Sequence, residues 1–525
     1  VLLLVGSSAL SAQDKALSGA YRIYQGNNEI GRESFHRDAQ HFTQVASITP
    51  INLRLESTNS LPGGRFGGFT LALRNLAGDS LRGDYQIERA GDSVKIVSTL
   101  PGSNPAPLSH PVNFDFILPP QSVASLAELL IRAGGRDTTW RVMAAGATTV
   151  FNAAVAFKGD SATVTMPGIV IYATIRGGAI ATLAMPSQNA RAVLSLKPDT
   201  LPPLAGPVQR PRPVYTAPPG AIYTAEEVRV PVRPINADTF SLGCTLTVPK
   251  VAKRPVPAVV TITGSGSQGR DEDLWPTVPG YAPFRQVAER LAKAGIATLR
   301  CDDRGKDASG GSALTATTAD FAGDTRAQVA WLRSRPEIDS LRVGLVGHSE
   351  GGIIGPLLVS YDPKLKAMVI LAGPAKPGYK VLIDQARFPV LQDSTLTPEQ
   401  RAIRLAAADS SIIADSLAPG AWYQWFYHYD PIPIATRVKT PTLILQGALD
   451  RQVTAGQADT LAAAIRSNGN TDVTVKVFPG LNHLFLVSKQ GGAPSEYGSL
   501  KDVQVPANVL ETMALWLAAR LARKP

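Results

Sequence analysis

Cysteine is nearly absent from this chain: Cys244 and Cys301 are the only two in 525 residues. Two thiols cannot build a disulfide scaffold or a four-ligand zinc site. Charge is sparse as well, at 18% of residues against 44% apolar. That balance excludes a disordered or acidic solvating chain, because there is enough apolar surface to form real cores. No segment after the N-terminus reaches the roughly 20 consecutive apolar residues of a membrane span. Internal repeats are missing too, and a chain of this length is expected to form two domains. Lys plus Arg exceeds Asp plus Glu, 52 − 42 = +10, but the excess is spread along the chain without a basic run or a nucleic-acid motif. It reads as a solvated surface with a mild preference for anionic partners, and nucleic acid is not expected as one.

The chain opens Val1-Leu2-Leu3-Leu4-Val5 and continues through small residues to Ala12. This is the pattern of a secretory signal ending at Ala12, although the charged start of such a signal is missing from this stretch. A frayed apolar strand is the competing reading. Residues 1–12 are taken as a signal remnant, and the protein is expected to be secreted or periplasmic. Export makes a Cys244–Cys301 disulfide chemically permissible, but the sequence by itself leans towards two buried free thiols.

From 13 to 197 the sequence shows short alternating runs, such as Tyr21–Tyr24, Thr70–Leu73, Ser93–Val97 and Ala162–Thr165, broken by Gly, Asn and Asp. Period-two patterning predicts a β-rich domain, an antiparallel sheet or open barrel, with one helix over Ser122–Ala133. His36, His41 and His110 have no metal-ligand spacing with carboxylates or cysteines and are read as ordinary surface or turn residues. Residues 198–222 are proline-rich and aperiodic, which predicts an extended linker. After Tyr223 strand-like and helical runs alternate: strands at Ala258–Thr263, Ile296–Cys301, Val343–Val346, Ala367–Leu371, Thr442–Leu445 and Val473–Phe478, with helices at Phe284–Ala294, Ala319–Arg333, Gly351–Ser360, Ala455–Ser467 and Ala507–Arg523. That alternation predicts an α/β domain over 223–525, doubly wound around a mostly parallel sheet. An excursion at about 374–439 interrupts it where a lid would sit, and Thr397-Pro398-Glu399-Gln400 opens a helix inside it with capping-box spacing.

Gly347-His348-Ser349-Glu350-Gly351 follows the strand Val343–Val346 and precedes an apolar helix. A Gly-x-Ser-x-Gly run in this strand–turn–helix context holds the serine hydroxyl out on a sharp turn, and the next backbone N–H points at a developing oxyanion. Such a serine needs a base. Of six histidines, His428 and His483 follow it outside its own motif. His483 lies in a loop just after a strand, whereas His428 sits in an aromatic cluster and is read as packing or substrate contact. The strand Leu443–Leu445 leads to Asp450, with Val453 as an apolar anchor. Chain order is then Ser349, Asp450, His483, a catalytic triad in the order of an α/β-hydrolase. Gly264-Ser265-Gly266 follows another strand, where a second oxyanion donor should come from. Ser265 or Gly266, with Glu350, is the expected oxyanion hole. A phosphate-cradling loop is the rival reading, but no Gly-Lys-Ser/Thr completes it.

These motifs resemble the α/β-hydrolase superfamily over residues 223–525, and within it bacterial serine esterases that carry an N-terminal accessory domain. Such esterases have a Gly-Ser-Gly-x-Gln-x-Arg-Asp-Glu loop, here Gly264–Glu272, and an Asp-Asp-Arg-Gly turn, here Asp302–Gly305. Gly269 departs from the resemblance, since Asp is common there, and the turn runs on less Gly-rich than usual. Asp302, Asp303 and Arg304 are read as a structural turn network. The resemblance implies a serine carboxylesterase acting on a small-molecule ester through an acyl-enzyme. A serine peptidase or amidase is the alternative on the same fold, and a third is an apolar-ligand binder with a vestigial hydrolase half. Trp422, Trp425, Phe426 and His428 either pack the insertion onto the body or line an apolar substrate pocket. No cofactor and no metal are implied, because the triad needs only water.

Overall fold

In a computed structural model the alternating runs of the N-terminal half pair into one sheet. The structure describes residues 17–523 apart from 27, 50–52, 77–80, 100–106, 120–121, 146–149, 167–168, 186–189, 198–212, 235–237, 276, 314–315, 395 and 415–420. The signal-like start and most of the proline-rich stretch lie outside the described residues. The chain divides into two units, residues 1–210 with 406–415 and residues 211–405 with 416–525.

Among the described residues the first unit holds fifteen strands, from β1 (Leu17–Gln25) and β2 (Asn28–Arg37) to β15 (Ala190–Ser195). The sheet runs from β8 (Leu108–Pro111) back through consecutive strands to β1, across to β15, and on to β10 (Thr138–Ala144) and β9 (Phe116–Leu118). Every pairing is antiparallel except β9 with β10. Helix α1 (Val123–Ala133) is buried along nearly its whole length and packs among Tyr21, Phe35, Phe42, Val155 and Ile171. Its free N-terminal amides are met from outside the helix. Ser122 Oγ accepts the N–H of Ser125 at 3.1 Å, and Glu33 Oε2 accepts those of Val123 and Ala124 at 2.6 and 2.9 Å. Burial nevertheless holds the Glu33 carboxyl up at about 7.

The second unit is built on eight strands: β16 (Tyr223–Val232), β17 (Phe240–Pro249), β18 (Val256–Ile262), β19 (Ala297–Cys301), β20 (Ile338–His348), β21 (Leu365–Leu371), β22 (Thr442–Gly447) and β23 (Val473–Phe478). Their order is β16-β17-β19-β18-β20-β21-β22-β23, antiparallel at the first two junctions and parallel after them. β16 and β17 are not among the expected strands. β17 is buried at nearly every position and lacks alternation, while β16 is a charged edge strand carrying Glu226, Glu227 and Arg229. Successive strand residues point to opposite faces. Val259, Val346, Val369 and Leu443 meet Phe284, Val287 and Leu291 of α2 (Pro283–Lys293), and Val509 and Leu517 of the C-terminal helix 507–520. Val260, Leu345, Met368 and Ile444 meet Leu332 of α3 (Thr318–Arg333), Leu358 of α4 (Gly351–Tyr361) and Ile465 of the helix 456–466. The excursion before β22 carries α5 (Gly378–Gln392), α6 (Pro398–Ala414), α7 (Ala421–His428) and α8 (Ile432–Ala435).

One expectation is corrected here. Cys244 and Cys301 are joined in a disulfide rather than standing as two free thiols. They are direct cross-strand partners in the β17–β19 pairing, a register invisible between residues 57 apart in sequence. Unreduced, denatured protein is therefore expected to titrate no free thiol. Replacing both cysteines by alanine should cost about 2–5 kcal/mol in equilibrium unfolding.

Candidate functional site

Strand β20 ends at His348 and α4 begins at Gly351, so the chain reverses within two residues. Ser349 takes φ of 52°, in the left-handed region a serine seldom adopts. A Cβ at position 347 would lie 2.2 Å from the Gly351 carbonyl oxygen, and one at 351 would lie 2.3 Å from that of Ile262. Both flanking residues must therefore be glycine. The Ser349 N–H is tied to the Leu371 carbonyl at 2.8 Å, and the side chain is left partly exposed.

Asp450 follows β22 and is buried with all its bonds made. Oδ1 accepts the N–H groups of Gln452 and Val453, both at 2.8 Å, and Oδ2 accepts the side-chain amide of Gln446 at 2.8 Å. Oδ2 also meets His483 Nδ1 at 2.8 Å. The His483 loop is shaped by Asn482, whose side-chain oxygen accepts the N–H groups of Leu484 and Leu486 at 3.0 and 3.1 Å. Asp450 and His483 are thus paired, while no hydrogen bond joins the Ser349 hydroxyl to His483 among the described residues. No intrachain acceptor meets the amides of Ser265, Gly266 or Glu350 among the described residues, and Ser265 and Gly266 are exposed.

Three groups here escaped the sequence reading. Gln446 props Asp450. Glu272 Oε1 bonds both the Gly264 N–H, at 2.7 Å, and His348 Nδ1, at 2.8 Å. The Glu350 side chain is buried under the elbow, accepting from Thr318 Oγ1 at 2.5 Å and Trp422 Nε1 at 2.8 Å. Burial outweighs those bonds and the one from Ser265, so its pKa is raised. Position within the motif was the only sequence signal for Glu350 and His348.

Of the four aromatic-cluster candidates, Trp422 is the one bonded to a residue of the elbow. Its ring stacks on Phe426, which is buried against Ile353 and Val381. Trp425 stacks on Tyr429, and His428 is exposed with its ring against Tyr427. The Asp302–Arg304 turn is a buried network. Asp302 takes a two-oxygen bond from Arg270, and Arg304 bonds Asp324 through two nitrogens at 2.7 Å each. Asp271 pairs with Arg300. Asp303 accepts from Thr263 Oγ1 at 2.9 Å and the Gln268 N–H at 2.8 Å. It also lines a narrow cleft with Gly264, Gly266, Gln328 and Glu350. Among the described residues no three His, Cys, Asp or Glu side chains are grouped to hold a metal ion.

A serine on this elbow, at the end of a central strand of a sheet with this order, gives the second unit the α/β-hydrolase fold with its nucleophile elbow. Residues 281–490 match the family model described as Serine aminopeptidase, S33, and apart from 406–415 they lie within the second unit. The chain is 29% identical over 278 residues to Esterase EstD of Thermotoga maritima, covering 52% of this chain and 64% of that protein. It is 27% identical over 274 residues to dipeptidyl aminopeptidase BIII of Pseudoxanthomonas mexicana, covering 49% and 35%. The chain thus spans less than two thirds of either relative's length. An esterase structure from Pyrococcus furiosus aligns with a TM-score of 0.40 at 18% identity, over 59% of this chain and 97% of its own.

Burial pushes the Asp303 carboxyl up to about 8 from its ordinary 3.8. Folding therefore takes up a proton between those values, and stability should fall as pH rises through that window. Asp303→Asn can keep both partners, with the threonine hydroxyl now accepting, and should flatten that slope. Denaturant unfolding of both proteins across pH 5 to 9 checks this.

Proposed function

We propose that this protein is a serine carboxylic ester hydrolase, with Ser349 as nucleophile, His483 as base and Asp450 as its orienting carboxylate. The observation that carries the reading is the buried Asp450–His483 bond of 2.8 Å set beside a serine on a left-handed elbow. With its Nδ1 proton held by Asp450, His483 presents Nε2 as the base. Free enzymes often hold the serine–histidine contact long until substrate arrives. Ser349 Oγ attacks the ester carbonyl as Nε2 takes its proton, and the tetrahedral oxygen is received by the amides of Glu350 and of Ser265 or Gly266. His483 returns the proton to the departing alcohol, and water then cleaves the acyl-enzyme by the same route.

Short to medium acyl or aromatic esters are the proposed substrates, supported by the Trp422–Phe426 stack next to Glu350. The esterase relative supports the ester reading, since the match covers 64% of that protein but 35% of the peptidase. The peptidase or amidase reading draws support from the matching family's description. The excursion before β22 is proposed as a lid over this site. Work outside the reducing cytosol, secreted or periplasmic, belongs to the same proposal and is supported by the Cys244–Cys301 disulfide.

A chain-length series of p-nitrophenyl esters, run beside matched amides, tests the assignment. Short esters should turn over faster than the amides, and Ser349→Ala should be inactive. Asp450→Asn should lose roughly 10⁴-fold in kcat, because the imidazole then adopts the wrong tautomer. Faster amide turnover would move the enzyme to the peptidase class, and an active Ser349→Ala would end the triad reading.

A further inference from the structure

A second carboxylate–imidazole pair lies beside the first. Glu272 closes the loop that starts at Gly264, and it is buried with a φ of 56°. A left-handed conformation at a glutamate is strained and is kept only where the surroundings demand it. Its Oε1 receives two donors, the N–H of Gly264 at 2.7 Å and Nδ1–H of His348 at 2.8 Å. Gly264 itself is wedged in place, since a Cβ there would lie 2.9 Å from this oxygen and 3.2 Å from Ser349 Cβ. On its other side the His348 ring bonds, through Nε2, the backbone carbonyl of His483 at 3.0 Å. A carbonyl can only accept, so Nε2 carries a hydrogen, and Nδ1 faces a carboxylate. With a carboxyl oxygen on one nitrogen and a carbonyl oxygen on the other, the His348 ring is placed to hold a proton against Glu272.

We infer that Glu272 and His348 are positioning residues. One carboxylate oxygen and the imidazole bonded to it fix the oxyanion loop and the His483 backbone against Ser349. The oxyanion loop is anchored at its first residue, the elbow at the residue before the serine, and the base through its main chain. The loops that carry these parts are far apart in sequence, and this pair bonds them directly. The inference rests on the serine-hydrolase reading of Ser349 and His483 and holds for an ester or an amide substrate alike.

The pair also predicts a pH signature. The groups facing His348 are Glu272 from the oxyanion loop, Asp450 from the loop after β22, and both the carbonyl and the ring of His483 from the loop after β23, the two imidazole centroids 4.9 Å apart, with the Phe485 ring 6.4 Å away. Burial opposes the charge on His348, but the charge and bond of Glu272, the His483 carbonyl and the Asp450 charge together outweigh it and raise the imidazole above its ordinary value. Deprotonation at high pH releases the link, and without the carboxylate it should occur at lower pH.

Steady-state kinetics of Glu272→Gln on a short p-nitrophenyl ester, with active sites counted by a phosphonate that labels Ser349, tests the inference. The kcat per labelled site should fall roughly 10- to 100-fold with KM changed less than about threefold, as expected for a small misplacement of reacting groups. The alkaline limb of the rate profile should move to lower pH. His348→Gln keeps a donor for the His483 carbonyl but no charge, and serves also if Glu272→Gln fails to fold. It should lose activity by a similar factor, and the double variant should lose no more than either one alone. Wild-type kcat in either variant, a loss confined to KM, an unmoved alkaline limb or simply additive losses would overturn the inference. If the wild type turns over no ester, the ester reading fails by itself. The comparison then passes to the rate of Ser349 labelling, where equal rates in wild type and Glu272→Gln would overturn the positioning role.

Discussion

The second unit depends on a steric constraint at one junction, where β20 passes into α4 with no room for a side chain at residue 347 or 351. Because strand, helix and the end of β18 touch backbone to backbone there, the intervening residues have few conformations open to them. Ser349 is forced into the left-handed region, and the next amide is left without a helical acceptor. The free energy that holds this conformation comes from the packed sheet beneath it, where Val343, Leu345 and Val346 are fully buried between two helix layers. A local strain of this kind persists only when the surrounding core over-determines it.

Around that junction the domain concentrates buried carboxyls and gives each a different set of partners. Asp450 is saturated by amide donors and one imidazole. Asp302 faces a guanidinium, whereas Asp303 and Glu350 have hydroxyl or N–H donors and, among the described residues, no cation bonded to them. Burial without a cation raises a carboxyl's pKa, and a bound cation opposes the shift. Asp303 and Glu350, buried with neutral donors, are accordingly held above the ordinary carboxyl range. A buried ion pair such as Arg270–Asp302 adds little net stability, but breaking one partner is costly, so it locks the turn in one arrangement.

Much of this was legible in the residues themselves. The elbow could be found because its chemistry leaves a local pattern, glycines at fixed offsets around a serine after a strand. The α/β architecture was legible because alternating strand and helix periods admit few topologies. Helix α1 was legible from its apolar run and its Ser122 cap. β16 and β17 were missed because full burial erases alternation in one and edge exposure fills the other with charge. The disulfide was missed because a cross-strand register is a relation between segments. Glu272 lay inside a recognised motif, yet nothing local connects it to His348.

The sequence by itself determined the class of chemistry: a serine on an elbow, a carboxylate and a histidine following in order, and a sheet to carry them. Those features rest on short-range sterics and periodicity, which any window of the chain contains. Only the tertiary structure decided which oxygen meets which nitrogen. It paired Asp450 with His483, set Trp422 on Glu350, joined Cys244 to Cys301, and brought Glu272, His348 and the His483 carbonyl into one line of bonds. Those choices depend on how loops at one end of a parallel sheet converge, and convergence in space has no counterpart in spacing along the chain.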